Sequence, residues 1–89
     1  MSERIFRYEV PVDDEVHEIR LSGDPVAVFC REHGVVEFWA TVAHKDADGR
    51  ARLFTVVGTG HSFPSFGKYI GTAVAPGGYL VWHLIEVQP

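Results

Sequence analysis

The sequence predicts an all-β fold, a sandwich or closed barrel of about seven short antiparallel strands. Three observations predict it. Apolar residues alternate or fall in short runs, and no stretch shows the i, i+3, i+4, i+7 stripe of an amphipathic helix. Turn-forming residues interrupt those runs every several positions. The chain of 89 residues is 46% hydrophobic and 22% charged, the balance of one globular domain spanning residues 1–89 and not of a disordered segment.

Arg4 to Val10 reads as a half-buried strand, with Phe6, Tyr8 and Val10 on one face and Arg7 and Glu9 on the other. Pro11 stops it, having no N–H for a ladder, and Asp13-Asp14 supplies a turn. Val16 to Leu21 alternates again, opposing His17, Ile19 and Leu21 to Glu18 and Arg20. The first two runs are therefore expected to form a hairpin with His17 on its inner face. After the turn cluster Ser22-Gly23-Asp24-Pro25, the run Val26 to Arg31 sets Val26, Val28 and Cys30 against Ala27 and Phe29.

Glu32-His33-Gly34 leads into Val35 to His44, whose Val36, Phe38, Ala40 and Val42 make an unbroken apolar face expected in the core. The opposite face carries Glu37, Trp39 and Thr41. Asp46-Ala47-Asp48-Gly49 reads as a hairpin loop into a fifth strand, Arg50 to Gly58. From Gly58 to Gly67 the chain holds three glycines, one proline and two phenylalanines, the composition of a loop that folds its own apolar residues inward. Tyr69 to Ala75 is a sixth strand. Pro76-Gly77-Gly78 is a turn with proline second and glycine third, and Tyr79 to Val87 is the last strand. That last run is apolar on both faces, which suits the middle of a sheet or a subunit interface.

Composition narrows the function. The net charge is -4 and no segment gathers the basic residues, so binding to nucleic acid through phosphate neutralisation is disfavoured. Every apolar run falls well short of the roughly 18 residues of a membrane span, and no signal-peptide core follows Met1, so a cytoplasmic protein is expected. The lone Cys30 excludes an intrachain disulfide and a multi-thiolate zinc site. The five histidines show no ligand-pair spacing, and Cys30-x-x-His33 supplies two of the four ligands that structural zinc takes, so neither metal nor cofactor is expected.

Candidate chemistry is sparse. Ser62, Ser65 and Cys30 lie in no motif that sharpens a nucleophile, and no catalytic residue is assigned. A hydrolase using His61 or His83 is the enzymatic alternative. Gly58-Thr59-Gly60-His61 resembles a phosphate loop but lacks the helix that should follow; its weaker use is a nest of backbone amides around Gly60 with His61 as donor. For a small anionic ligand such as a nucleotide, Arg52 would meet the phosphate, His61 and Gly60 would donate, and Trp39 and Tyr69 would stack the base. Trp82 and His83 are expected in the core, His83 with its hydrogen bonds satisfied. A core of this size hides only about 60–65% of the extended chain's surface. The third, fourth and seventh runs nonetheless hold more apolar side chains than inner faces alone need, so copies of the chain are expected to associate.

Five blocks carry a family resemblance: Ile5-Phe6-Arg7-Tyr8-Glu9-Val10-Pro11-Val12-Asp13-Asp14, Val36-Glu37-Phe38-Trp39, Val57-Gly58-Thr59-Gly60-His61, Gly71-Thr72-Ala73 and Leu80-Val81-Trp82-His83-Leu84. Together they resemble a family of short uncharacterised proteins of actinobacteria and the phages that infect them. The resemblance implies a cytoplasmic protein of phage or prophage origin and brings no catalytic residue. By analogy of context, such a protein binds a small signalling molecule or a host protein, or serves as a structural module of the virion.

Overall fold

The structure, a computed structural model, describes residues 3–43 and 49–87. Its strands are β1 (Glu3–Pro11), β2 (His17–Leu21), β3 (Val26–Phe29), β4 (Val35–Ala43), β5 (Arg50–Gly58), β6 (Lys68–Val74) and β7 (Val81–Val87). They form two antiparallel sheets, one of three strands in the order β1-β4-β3 and one of four in the order β2-β5-β7-β6. The architecture is a sandwich; neither sheet closes into a barrel.

The core lies between the sheets. Val10, Val36, Phe38 and Ala40 come from one layer and Leu21, Phe54, Val56 and Leu84 from the other. Phe38 and Phe54 join the layers at a centroid distance of 5.1 Å, and Tyr8 stacks on Phe38 at 5.4 Å. The apolar face read from alternation on β4 is therefore the inner face, and the same period places Ile19 and Leu21 of β2 inward. A smaller cluster of Cys30, Ala73 and Ala75 closes one end, with Val28 and Trp82 packed against it.

Two expected hairpins do not form. β1 pairs with β4, and β2 pairs with β5 in the other sheet. Pro11 ends the β1 ladder, Val12 N–H donates to the Gly34 carbonyl, and Asp14 takes a φ of 62°, so the chain crosses between layers instead of folding back. Likewise β4 and β5 lie in different sheets and form no hairpin. His44, Asp46, Ala47 and Asp48 lie outside the described residues. The hairpin that does form is β6–β7. Gly78 N–H donates to Ala75 across Pro76 and Gly77, the latter at a φ of 91°, as the Pro-Gly pair predicts.

β3 departs from simple alternation. Ala27 has a φ of 53° at a bulge, which turns Val26 and Phe29 to the same outer side while Val28 and Cys30 point inward. Val26 is therefore on the face opposite to the one alternation predicts. β7, apolar on both faces, sits between β5 and β6, which settles its position in the middle of a sheet. Tyr79 and Leu80 precede the strand and are exposed.

Candidate functional site

The outer face of the three-stranded sheet is built from odd-numbered residues of β1 and β4 plus the bulge of β3. Register aligns Arg7, Trp39 and Val26 across the sheet, and then Glu9, Glu37 and Phe29. Phe29 meets Trp39 edge to face at 5.4 Å. Val26 and Phe29 are more than half exposed, as is Ile5 at the β1 edge. Beside this apolar cluster Glu37 is almost fully buried although it points away from the core. Arg31 grips it with two bonds of 2.7 and 2.8 Å, and Arg7 adds a third at 3.2 Å. The Arg31 guanidinium holds the Glu37 carboxyl below the usual carboxylate range, against the opposing effect of burial.

The outer face of the four-stranded sheet has a different chemistry. His83 of β7 lies directly opposite Thr72 of β6, whose hydroxyl is 2.9 Å from Nδ1; Thr59, just beyond β5, places its hydroxyl 2.8 Å from Nε2. Tyr69 OH extends the chain to Thr72, its ring 6.3 Å from the imidazole. Both ring nitrogens of His83 are thus engaged by neutral hydroxyls. Next to it Thr55, Val57 and Val87 form the floor of a groove of about 260 Å³, walled by Asp14 and Val16 on one side and by Ser62, Phe63 and Pro64 on the other. Thr55 donates its hydroxyl to the Glu15 carbonyl and so ties the first wall to the floor. Gly67 packs over Ile85 on the second side, where a Cβ would lie 2.8 Å from Ile85 Cγ2. The loop covers Ile85 but leaves Phe63 and Phe66 substantially exposed, so it folds inward only in part.

The structure does not bring the five sequence-derived ligand residues together. Trp39 stands on the outer face of one sheet, whereas Tyr69 belongs to the outer face of the other. Gly60 and His61 form an exposed turn closed by His61 N–H donating to Gly58, with the His61 ring against the position a Gly58 Cβ would occupy. Arg52 points inward and is buried. It binds Glu86 bidentately at 2.7 and 2.8 Å, Asp24 at 3.0 Å and the Gly23 carbonyl at 3.3 Å. Four contacts turn its guanidinium to the protein, and the pairing with Arg52 holds the Glu86 carboxyl below its ordinary range.

The remaining candidates resolve plainly. Cys30 is buried, its thiol donates to the Glu32 carbonyl, and burial pushes its pKa up, which suits a core residue. Among the described residues no cluster of three or more His, Cys, Asp or Glu side chains is placed to hold a metal. Trp82 packs on the core as expected, with its Nε1 buried and without a hydrogen-bond partner among the described residues. His83 is satisfied, as expected, yet it lies half-buried on an outer face and not in the core.

A model of a domain of unknown function, DUF7352, matches residues 1–89. The chain belongs to the DUF7352 family. No curated protein and no solved structure matches it. The family resemblance read from the five sequence blocks is therefore met at the level of an uncharacterised family. The surfaces that distinguish this DUF7352 domain are its two outer faces, one apolar with a buried Glu37 held by the half-exposed Arg7 and Arg31, and one carrying the His83 hydroxyl chain beside a groove. Thr59 and Thr72 were missed from sequence: counting back from a two-residue Pro76-Gly77 turn sets Thr72 opposite Val81, and only the wider closure, with Ala75 N–H donating to the Leu80 carbonyl, brings it opposite His83. Among the described residues no helix is long and apolar enough to cross a membrane.

Proposed function

We propose that this DUF7352 domain is a non-catalytic, homo-oligomeric binding protein that engages a partner protein through the outer face of its three-stranded sheet. The observation that carries the reading is the cluster of Val26, Phe29 and Trp39, two of them more than half exposed, on a rigid β-surface. Exposed aromatic residues grouped with aliphatic ones are the usual anchors of protein interfaces. The bidentate Arg31–Glu37 contact fixes the polar border of the cluster, so little side-chain ordering is needed on docking. The occupant that fits is an apolar side-chain cluster of a host or virion protein. The lone reduced Cys30 and the absence of a long apolar helix among the described residues support work in the cytoplasm, that of the host where the chain is phage-encoded. Phage or prophage origin is supported by the resemblance of the five blocks.

The non-catalytic reading is favoured by the surroundings of His83. Thr59 is within reach of its imidazole, but the other ring nitrogen meets Thr72, a neutral hydroxyl, where an acid–base histidine is usually steadied by a carboxylate. The test is a pulldown from host lysate with wild-type protein and with Trp39→Ala. One protein recovered at stoichiometric level by the wild type and lost with Trp39→Ala, whose thermal melting is retained, is the expected result. Equal recovery with the variant removes this surface from the account.

A small anionic ligand such as a nucleotide is the second reading, favoured by the exposed Gly60-His61 turn and by Tyr69 and His83 on the same outer face as the groove. Arg52 cannot serve it, so the donors would be His61 and the turn amides. A saturable thermal shift with a member of a broad nucleotide panel, abolished by His61→Ala, is expected. No shift across the panel with a verified oligomer ends this reading.

A further inference from the structure

The sandwich has four edge strands, and three of them are blunted. β2 has five residues, while β3 and β6 each carry a register shift that breaks the line of free backbone groups. β1 is different. Its nine residues pair with β4 from Glu3 to Pro11 without a shift, and among the described residues no strand flanks its other side. A long, regular, unprotected edge is a template for another strand. Its side chains are also left uncovered: Ile5 is 70% exposed, and Phe6, although it points toward the space between the sheets, is 45% exposed.

We infer that this edge is completed by a second copy of the chain, with β1 pairing antiparallel to its counterpart about a two-fold axis at Ile5. The inference rests on the homo-oligomeric part of the proposed function and names the surface that makes it. A two-fold normal to the sheet keeps inner faces on one side, so residues that oppose one another must have an even sum of numbers. Centred on Ile5, Glu3 faces Arg7 twice, Arg4 faces Phe6 twice, and Ile5 meets its own copy. Each symmetry-related contact is then a salt pair, a cation on an aromatic face or an aliphatic pair. Centring on Phe6 opposes Glu3 to Glu9 and Ile5 to Arg7. Centring on Arg7 sets two guanidiniums face to face. Centring on Tyr8 pairs Arg7 with Glu9 but puts Pro11, which lacks an N–H, opposite Ile5, and it rests on Val10, which is already fully buried. The Ile5 register is the one that pairs opposite charges and covers the exposed Ile5 and Phe6 together. The result is a continuous six-stranded sheet in which the two apolar outer faces lie on one side.

The register is testable by disulfide trapping. Residues directly opposite across an antiparallel pair have Cα atoms about 4.5–5.5 Å apart, inside the range a disulfide spans; diagonal neighbours are about 7–8 Å apart. Single variants Ile5→Cys, Phe6→Cys, Tyr8→Cys and Val26→Cys are oxidised with a glutathione buffer at matched concentration, while native mass spectrometry counts subunits in the unmodified protein. Buried Cys30 does not compete. A native dimer with near-complete trapping at Ile5→Cys and at least tenfold less at the other three sites is expected. A native dimer that traps best at another position overturns the Ile5 register but leaves the homo-oligomer standing. A monomer throughout, with no trapping at Ile5→Cys, overturns both.

Discussion

Arg52→Met is the most informative single change to the fold, because it removes a guanidinium that four contacts bind and leaves Glu86 behind. The two side chains are 8% and 9% exposed, so solvent screens the loss very little. Deleting one member of a buried ion pair strands a desolvated charge at a cost of about 3–5 kcal/mol. Domains hold about 5–15 kcal/mol in total, and one of this size sits toward the lower end. At about 4–8 °C per kcal/mol for a small domain, a loss near 3 kcal/mol lowers Tm by about 12–24 °C. The assay is thermal denaturation followed by circular dichroism at fixed protein concentration, because the Tm of any associating protein depends on concentration. The double variant Arg52→Met/Glu86→Leu replaces both charges with apolar volume and is expected to regain most of the loss. Asp24, which is largely exposed, tolerates the loss of its partner. If Arg52→Met melts within about 3 °C of wild type, or if the double variant melts as low as the single, Arg52 is not the structural residue described above.

Acid should unfold the protein through the same carboxylates. Glu37 and Glu86 both have folded pKa values lowered from 4.5 by arginine partners, so their stabilisation is fully present above about pH 5 and is lost as pH falls from 4.5 through their folded values. Urea midpoints measured from pH 7 down to pH 3 should fall below pH 4.5, and less steeply for Arg52→Met/Glu86→Leu; a flat profile contradicts the pairing. Gly71→Ala should destabilise by about 1–3 kcal/mol in urea titration, because its Cβ would lie 2.6 Å from Val28 Cγ2 across the layers. Val28→Ala in the same chain should recover part of that loss, and no recovery would place the strain elsewhere. Cys30 should react with a thiol reagent only at the rate of unfolding, since the thiol is buried and its pKa is raised. Rapid labelling of native protein would show that end of the sandwich open.

Much of the strand pattern was legible because period-two alternation is a local property. Val36, Phe38, Ala40 and Val42 had to share a face of β4, and a run apolar on both sides, as in β7, needs neighbours on both edges and cover on both faces. The Pro76-Gly77 turn was likewise legible, since proline fixes one φ and glycine supplies the positive one that follows. The bulge at Ala27 was not. A non-glycine residue at positive φ carries no clear sequence signal, and it moved Val26 to the outer face with Phe29 and Trp39. The candidate site was the least legible part, because Trp39, Arg52 and Tyr69 look alike in local pattern yet end in three different environments.

The sequence alone determined an all-β fold, the inward face of most strands, a core with no disulfide, and a surplus of apolar side chains. These follow from side-chain period and composition, which each segment carries within itself. The tertiary structure alone decided which strands pair, because the pairing of β1 with β4 and β2 with β5 depends on long-range contacts between segments far apart in the chain. From that pairing came the burial of Arg52 against Glu86, the hydroxyl chain around His83 and the bare edge of β1. Each depends on where a second segment lies, and no local pattern contains that information.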